Sequence, residues 1–254
     1  MIVLDLNCDV GEATDAEGLA IEEQLMACAS SVNIACGVHA GSPDLMRRTV
    51  RLAHAKGLAI GAHPGFRDPE GRGRREVPVK PAEVEALVTD QVAALAGVAA
   101  LEGARLRHVK PHGALYNMAA RDAALARSLA RAVAAVDRRL LLVGLAGSPV
   151  IEAARQEGLV AVEEAFADRA YRSDGTLVPR TQPGAVLRDE AEIVTRVLRL
   201  VRQGTVDSVD GGLLTLRVQT LCLHADTPGA DRLARRLRQA LDSAGVHVTA
   251  VAAG

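Results

Sequence analysis

Short apolar runs alternate along this chain with longer amphipathic stretches, and polar residues gather where each run ends. Ile2 to Asn7 reads as a buried strand and passes at once into Asn7-Cys8-Asp9-Val10-Gly11-Glu12. Ser31 to Ala35 is a second strand, followed by Cys36-Gly37-Val38-His39-Ala40-Gly41. Ser42-Pro43 then opens a helix, with Ser as N-cap and Pro in the first turn, and Gly57 ends it. Leu58 to Ala62 delivers His63-Pro64-Gly65-Phe66-Arg67-Asp68, and Pro81 to Leu101 is the next helix. A fourth strand ends in His108-Val109-Lys110-Pro111-His112-Gly113-Ala114-Leu115-Tyr116-Asn117. Helix 121–136, strand 140–143, a helix opened by Ser148-Pro149, strand 160–164 and helix 189–202 follow. Thr220 to Leu223 is the last strand, closed by His224-Ala225-Asp226 before Thr227-Pro228 opens the final helix. Two stretches, Gly65 to Pro78 and Ala165 to Arg188, are too long for routine connections and read as lid or binding loops.

Strand and helix thus alternate about seven times, the pattern of a parallel sheet with crossover helices. The apolar runs read as unbroken by polar residues, as expected of strands covered on both faces. An open sheet would gather its functional residues at one switch point, whereas a barrel lets nearly every strand contribute. Polar or His-bearing motifs follow six of the strands. The expectation is therefore a single α/β domain over residues 1–254, a TIM-like (β/α) barrel of about seven strands, with its site at the C-terminal rim.

Composition narrows the function. The chain has 254 residues, 49% of them hydrophobic, a net charge of −1 and only 2% aromatics. Such a chain lacks the basic face or stacking platforms that nucleic acid requires. It opens without a charged leader, and no apolar run looks long enough for a bilayer, so a soluble cytoplasmic protein with no membrane partner is expected. Cys8, Cys28, Cys36 and Cys222 have no paired metal spacing and read as free thiols. The four aromatics, Phe66, Tyr116, Phe166 and Tyr171, all follow strands, as if kept for a pocket.

A barrel would bring Asp9, Glu12, His39, His63, Lys110, His112, His224 and Asp226 to one cavity. Lys110 is one of three lysines among 30 basic residues, the others being Lys56 and Lys80. Alone, it reads equally as a snorkelling lysine, and a lone His after a strand as a capped core residue. Four histidines at four strand ends, in a chain with seven, point instead to chemistry. His54 and His247 read as structural, and His108 is open. Two chemistries fit. In one, His39 and His63 or His112 hold a divalent metal, Mg or Zn, with Asp9 while a second carboxylate activates water. In the other, Asp9 or Glu12 is a general base while Lys110 and a His stabilise an oxyanion. Arg67, Arg72, Arg74 and Arg75 would add clamps for a carboxylate or phosphate, or else form a solvated loop. No Gly-x-x-x-x-Gly-Lys loop is present, so nucleotide binding is not legible.

The motifs Asp5-Leu6-Asn7-Cys8-Asp9-Val10-Gly11-Glu12, Asn33-Ile34-Ala35-Cys36-Gly37-Val38-His39-Ala40-Gly41, Gly61-Ala62-His63-Pro64-Gly65, the His108–Asn117 stretch and Glu164-Ala165-Phe166-Ala167-Asp168-Arg169 together resemble the LamB/YcsF family from Met1 to about Ala240. One departure is visible, since His224-Ala225-Asp226 stands where the family has His-Gly-Asp. The added methyl falls where close backbone approach is wanted. The resemblance implies a barrel related to carbohydrate deacetylases and glycoside hydrolases. It also implies hydrolysis of 5-oxo-L-proline to L-glutamate with ATP as cosubstrate, releasing ADP and phosphate, in company with 5-oxoprolinase subunits B and C. Catalytic roles would fall to Asp9, Glu12, His39, His63, Lys110 and His112. Substrate or phosphate contacts would fall to Asn7, Arg67, Arg74, Arg75, Tyr116, Arg169, His224 and Asp226. Replacing Lys110 with Ala is expected to abolish turnover and leave the fold intact. The rival expectations are a metal-dependent amide hydrolase or deacetylase acting alone, and a non-catalytic lactam-binding or regulatory subunit.

Overall fold

The first strand shows why the chain closes on itself. In the computed structural model, which describes residues 1–224 and 229–252, β1 (Ile2–Val10) has two faces of opposite chemistry. Leu4, Leu6, Cys8 and Val10 join the apolar shell beneath the helices. Asp5, Asn7 and Asp9 turn inward and bond side chains from other strands. The strand β2 (Ser31–Ala35) repeats this, with Val32 and Ile34 in the shell and Ser31 and Asn33 inside. The expectation of strands without polar alternation is thereby corrected. With Leu, Val, Ile and Cys on one face, the runs look continuous, yet every second residue of β1 from Asp5 to Asp9 is polar.

The remaining barrel strands are β3 (Ala59–His63), β4 (Leu106–Val109), β5 (Leu141–Leu145), β6 (Ala161–Phe166) and the strand Thr220–Leu223, β9. They pair in parallel in the order β1-β2-β3-β4-β5-β6-β9, and β9 returns to β1, closing a seven-stranded barrel. Between β6 and β9 lies a small antiparallel pair, β7 (Thr205–Asp207) and β8 (Leu213–Thr215), and a short β10 (Val246–Val248) lies beside the start of β1.

Among the described residues eight helices surround the strands: α1 (Ala16–Met26), α2 (Pro43–Ala55), α3 (Pro81–Leu101), α4 (Gly113–Ala119), α5 (Ala123–Val136), α6 (Pro149–Gln156), α7 (Glu190–Gln203) and α8 (Ala230–Ser243). Ser42 caps α2 by accepting from the Leu45 N–H, whereas Ser148 stands at the cap of α6 without such a bond. Thr227 and Pro228 lie outside the described residues. By length and composition alone α3 is apolar enough for a bilayer, although Glu83, Glu85 and Asp90 interrupt its apolar run. Here Val84, Val88, Val92 and Leu95 bury against the barrel shell. The helix α1 is not among the expected elements; its start is marked by Asp15 accepting from the Gly18 N–H. The stretch 108–117 is not strand and turn alone, since His112 caps α4 and Tyr116 and Asn117 ride on that helix.

Candidate active site at the barrel mouth

Lys110 sits just past β4 with its ammonium at the barrel axis, 2% exposed. Its Nζ lies 3.0 Å from Asp9 Oδ1, 3.0 Å from Glu164 Oε1, 3.1 Å from Asn7 Oδ1 and 3.0 Å from Cys222 Sγ. Four acceptors for three protons leave the ammonium fully engaged by the protein. Burial alone would lower Lys110, but Asp9, Cys222 and Glu164 outweigh it and push it well above the usual lysine range. Below it, Asn33 donates to Asn7 Oδ1 (2.7 Å) and Asp9 Oδ1 (2.8 Å), and Asn7 donates to Glu164 Oε1 (2.9 Å) and Thr220 Oγ1 (2.7 Å). Thr220, Ser30 and Ser31 all donate to Asp5. His108, left open by the sequence, belongs to this network, since its Nε2 donates to Asn33 Oδ1 at 2.8 Å. Its ring fits because Gly61 on the neighbouring strand has no Cβ to meet it.

Above Lys110 the histidines converge. His63 Nδ1 donates to the Lys110 carbonyl at 2.7 Å, and its Nε2 faces Asp9 Oδ2 at 3.3 Å and His112 Nδ1 at 2.9 Å. His112 Nε2 donates to the Arg72 carbonyl at 2.7 Å, while its Nδ1 lies 3.4 Å from Glu12 Oε1. His39 stacks on His112 with centroids 3.9 Å apart, and its Nε2 is 3.3 Å from Glu12 Oε1. The stack needs Gly73, at φ +67, because a Cβ there would come within 2.9 Å of both His39 and His112. Arg72, the one non-glycine residue with positive φ among the described residues, turns its carbonyl onto His112 from the same bend.

These charges tune one another. Burial would raise Asp9, but His63 and Lys110 hold it well below the usual carboxylate range. Glu12 likewise is held down to about 2 against burial, by His39, His112 and His63. Burial pushes His112 well down and His39 down, favouring neutral rings. Burial pushes the Cys222 thiol well up, so it stays protonated.

A cavity of about 430 Å³ opens onto this cluster, with Asp9, His63 and His112 on its floor and Tyr116, Phe166 and Val178 on an apolar side. Tyr116 meets Phe166 edge to face at 5.6 Å, and Phe166 stacks on His224 at 5.4 Å. His224 Nδ1 pairs with Asp168 at 2.9 Å, and Asp168 is held down to about 2 against burial by His224, Arg180 and Arg169. Arg169 and Arg74 also line the cavity. Arg169 donates to the carbonyls of Val178 and Ala185, and burial with Arg180 nearby pushes it down to about 10.

The structure therefore brings Asn7, Asp9, Glu12, His39, His63, Lys110, His112, Tyr116, Arg74, Arg169 and His224 around one mouth. It does not bring Arg67 or Arg75 there. Arg67 is exposed and away from the cavity wall, and Arg75 turns back to Asp68 and Glu70. Asp226 and Ala225 lie outside the described residues. Two of the four aromatics also leave the pocket: Phe66 packs in the shell, and Tyr171 lies buried with its hydroxyl accepting from the Phe166 N–H. Sequence reasoning missed Asn33, Glu164 and Cys222; for Asn33 and Cys222 the only signal was a position between apolar neighbours, and Glu164 stands beside a second glutamate in its strand.

Among the described residues three groups of side chains stand close enough to share one ion: Asp9, His63 and His112; Glu12, His39 and His112; Asp9, Cys222 and His224. The last is a poor donor set, because its protonated thiol lies against the Lys110 ammonium.

Comparison with known proteins agrees with this geometry. The model of the LamB/YcsF family matches residues 4–254. A protein of Heliobacterium modesticaldum described as the A subunit of 5-oxoprolinase is 51% identical over 247 residues, 97% of each chain. The crystal structure of a lactam utilization protein from Thermus thermophilus superposes with a TM-score of 0.89 at 46% identity, covering 98% of this chain and 100% of that one. A T48 deacetylase shares the fold at 13% identity, with a TM-score of 0.51 over 98% of this chain and 87% of its own. On the family match and these identities, the chain belongs to the LamB/YcsF family.

Proposed function

We propose that this chain is the A subunit of a 5-oxoprolinase, a hydrolase that opens the lactam of 5-oxo-L-proline to L-glutamate with ATP converted to ADP and phosphate, acting with subunits B and C. The observation that carries the reading is the enclosed mouth. It sets the ionised Asp9 carboxylate with His63 and His112 on the floor of a cavity sized for a small cyclic amide, and His39 and the ionised Glu12 touch His112 beside it. The kinship with proteins described as the 5-oxoprolinase A subunit and as a lactam utilization protein supports it.

The chemistry follows from the substrate. An unstrained five-membered lactam is a resonance-stabilised amide, so opening it requires an activated water and a carbonyl oxygen made into a better acceptor of charge. Phosphorylation of that oxygen at the expense of ATP meets the second need. For the first, a carboxylate of the mouth takes a proton from water as its oxygen adds to the carbonyl carbon, and an imidazole returns a proton to the departing ring nitrogen, leaving an acyl phosphate that a second water hydrolyses to the glutamate carboxylate and phosphate. Tyr116 and Phe166 enclose the ring, and Arg169 with Arg74 faces its carboxylate or phosphoryl oxygens. Lys110 acts differently from the oxyanion clamp expected of it. With its protons engaged by Asp9, Asn7, Glu164 and Cys222, it fixes and ionises Asp9. The donors grouped about His112 would hold a divalent cation, which when bound polarises a carbonyl or phosphoryl oxygen.

The test is glutamate formation from 5-oxo-L-proline by the chain alone and with subunits B and C, with and without ATP. Glutamate appearing only in the complete mixture is the expected result. The convergence of metal-type donors favours one second reading, an amide hydrolase that acts alone. Opening of the lactam without ATP and partners would establish that reading instead.

A further inference from the structure

The turn that follows β6 carries three side chains of the mouth, and one arginine outside the cavity holds its backbone. The ladder between β6 and β9 ends at Phe166, opposite Cys222. Beyond that point a carbonyl loses its strand partner and needs another donor. The Asp168 carbonyl accepts the Leu187 N–H at 2.8 Å. The carbonyls on either side of it go to a single guanidinium. Arg196 Nη1 donates to the carbonyls of Phe166 at 3.1 Å and Ala167 at 2.9 Å, and its Nη2 donates to that of Arg169 at 2.8 Å.

Arg196 reaches the turn from the middle of α7, between Ile193 and Val197, which bury in the barrel shell. Its guanidinium carbon stands 5.4 Å above the Tyr171 ring, and the Tyr171 hydroxyl accepts the Phe166 N–H at 3.0 Å. Both backbone polar groups of Phe166 are therefore held by this stacked pair. A guanidinium presents its donors as a rigid planar fork, whereas an ammonium is a compact point charge that does not span carbonyls spread along a turn. Arg196 itself does not line the cavity; it borders an outer groove with Asp189, Glu192 and Thr195.

What the turn carries gives this clamp its consequence. The Phe166 ring faces Tyr116 and stacks on His224, Asp168 pairs with His224 Nδ1, and Arg169 lines the cavity. The floor rests on other elements, since Asp9 and His63 stand on β1 and β3 and His112 follows β4. We infer that Arg196 is a positioning residue for the wall of the mouth: by clamping the 166–169 turn it places Phe166 and Arg169 against the substrate and Asp168 against His224. The kinetic half of this inference rests on the lactam reading. Its spectroscopic half needs no substrate, so the two can fail separately.

The experiment compares Arg196→Met, Arg196→Lys and, as a control, Arg202→Ala at an exposed position on the same helix. Each variant, in complex with subunits B and C, is assayed for glutamate formation from 5-oxo-L-proline. The ring C–H resonances of His224, assigned with His224→Gln, are followed by NMR on the full chain. In both Arg196 variants KM rises by about tenfold or more while kcat stays within about threefold, because the wall has moved and the floor has not. The His224 resonances shift in both, since the Phe166 ring current and the Asp168 bond change, and Arg202→Ala alters neither KM nor resonance. An unchanged KM, or unmoved His224 resonances, in a folded variant would overturn the inference. An arginine that only supports the fold lowers the unfolding midpoint and the amount of active protein, and leaves both of those readouts where they were. If Arg196→Met unfolds, Arg196→Lys decides, and unfolding of both would equally overturn the inference. Should the wild-type complex form no glutamate, the lactam reading fails and the His224 resonances alone decide.

Discussion

The barrel interior has two polar layers, and they differ in how completely the protein satisfies them. In the lower layer, Asp5, Asn7, Asn33, His108 and Thr220 are linked through side-chain hydrogen bonds, and none of them carries a buried polar atom without a partner. In the upper layer, His39 Nδ1 is buried without a partner, the Tyr116 hydroxyl and Glu164 face each other outside good hydrogen-bond geometry, and His63 Nε2 meets His112 Nδ1 at 2.9 Å. Buried polar groups cost stability when unpaired. The lower layer therefore specifies the barrel, and the upper one retains unmet capacity that a ligand would complete. Lys110 joins the two layers.

The comparison breaks most visibly at that junction. Lys110→Met should leave Asp9 and Glu164 as buried carboxylates without their cation and lower stability by about 3–5 kcal/mol. A denaturant titration that finds the variant as stable as the wild type would remove Lys110 from its bracing role. This differs from the sequence expectation of an inactive protein with an intact fold, because a lysine with four protein acceptors supports structure and chemistry together.

The lower layer should also show itself through pH. Burial, then Lys110, pushes His108 down to about 3 from an ordinary 6.5. The folded chain refuses a proton that the unfolded chain accepts, so stability is full above about pH 6.5 and falls as pH drops toward 3. One proton contributes about 1.4 kcal/mol per pH unit in that window. His108→Gln should flatten the acid slope of the unfolding midpoint by that amount, and an unchanged slope would mean that the buried ring titrates normally.

Smaller effects refine the upper layer. Gly73→Ala adds a Cβ 2.9 Å from the His112 ring and from His39 Cβ at a positive φ, and should cost about 1–2 kcal/mol by thermal unfolding. A neutral outcome would show that the stacked pair has room to yield. Arg67→Ala, exposed and off the cavity wall, should leave turnover within about twofold. A large loss there would restore it to the site.

Much of this was legible in the chain. His39, His63 and His112 stood out because imidazoles after apolar strands need partners, and Asp9 and Glu12 because they follow the first strand directly. The seven-strand closure followed from polar motifs at several strand ends. Less visible was the lower layer. Asn33 sits inside a strand, where a single polar residue between apolar neighbours resembles local variation until the strands meet. The loop arginines misled for a different reason, since Arg74 and Arg75 are adjacent in sequence while only Arg74 faces the cavity. Phe66 and Tyr171 followed strands as Tyr116 and Phe166 did, but the loop turned them into the shell.

The most direct test of the central claim, that the upper layer acts on the lactam, is the rate of glutamate formation from 5-oxo-L-proline by the complex reconstituted with Glu12→Gln. Glu12 borders the histidines without entering the lower network, so the substitution separates chemistry from folding. The account predicts a loss of about 10²- to 10⁴-fold in kcat with an unchanged unfolding midpoint. Turnover near the wild-type rate would contradict it.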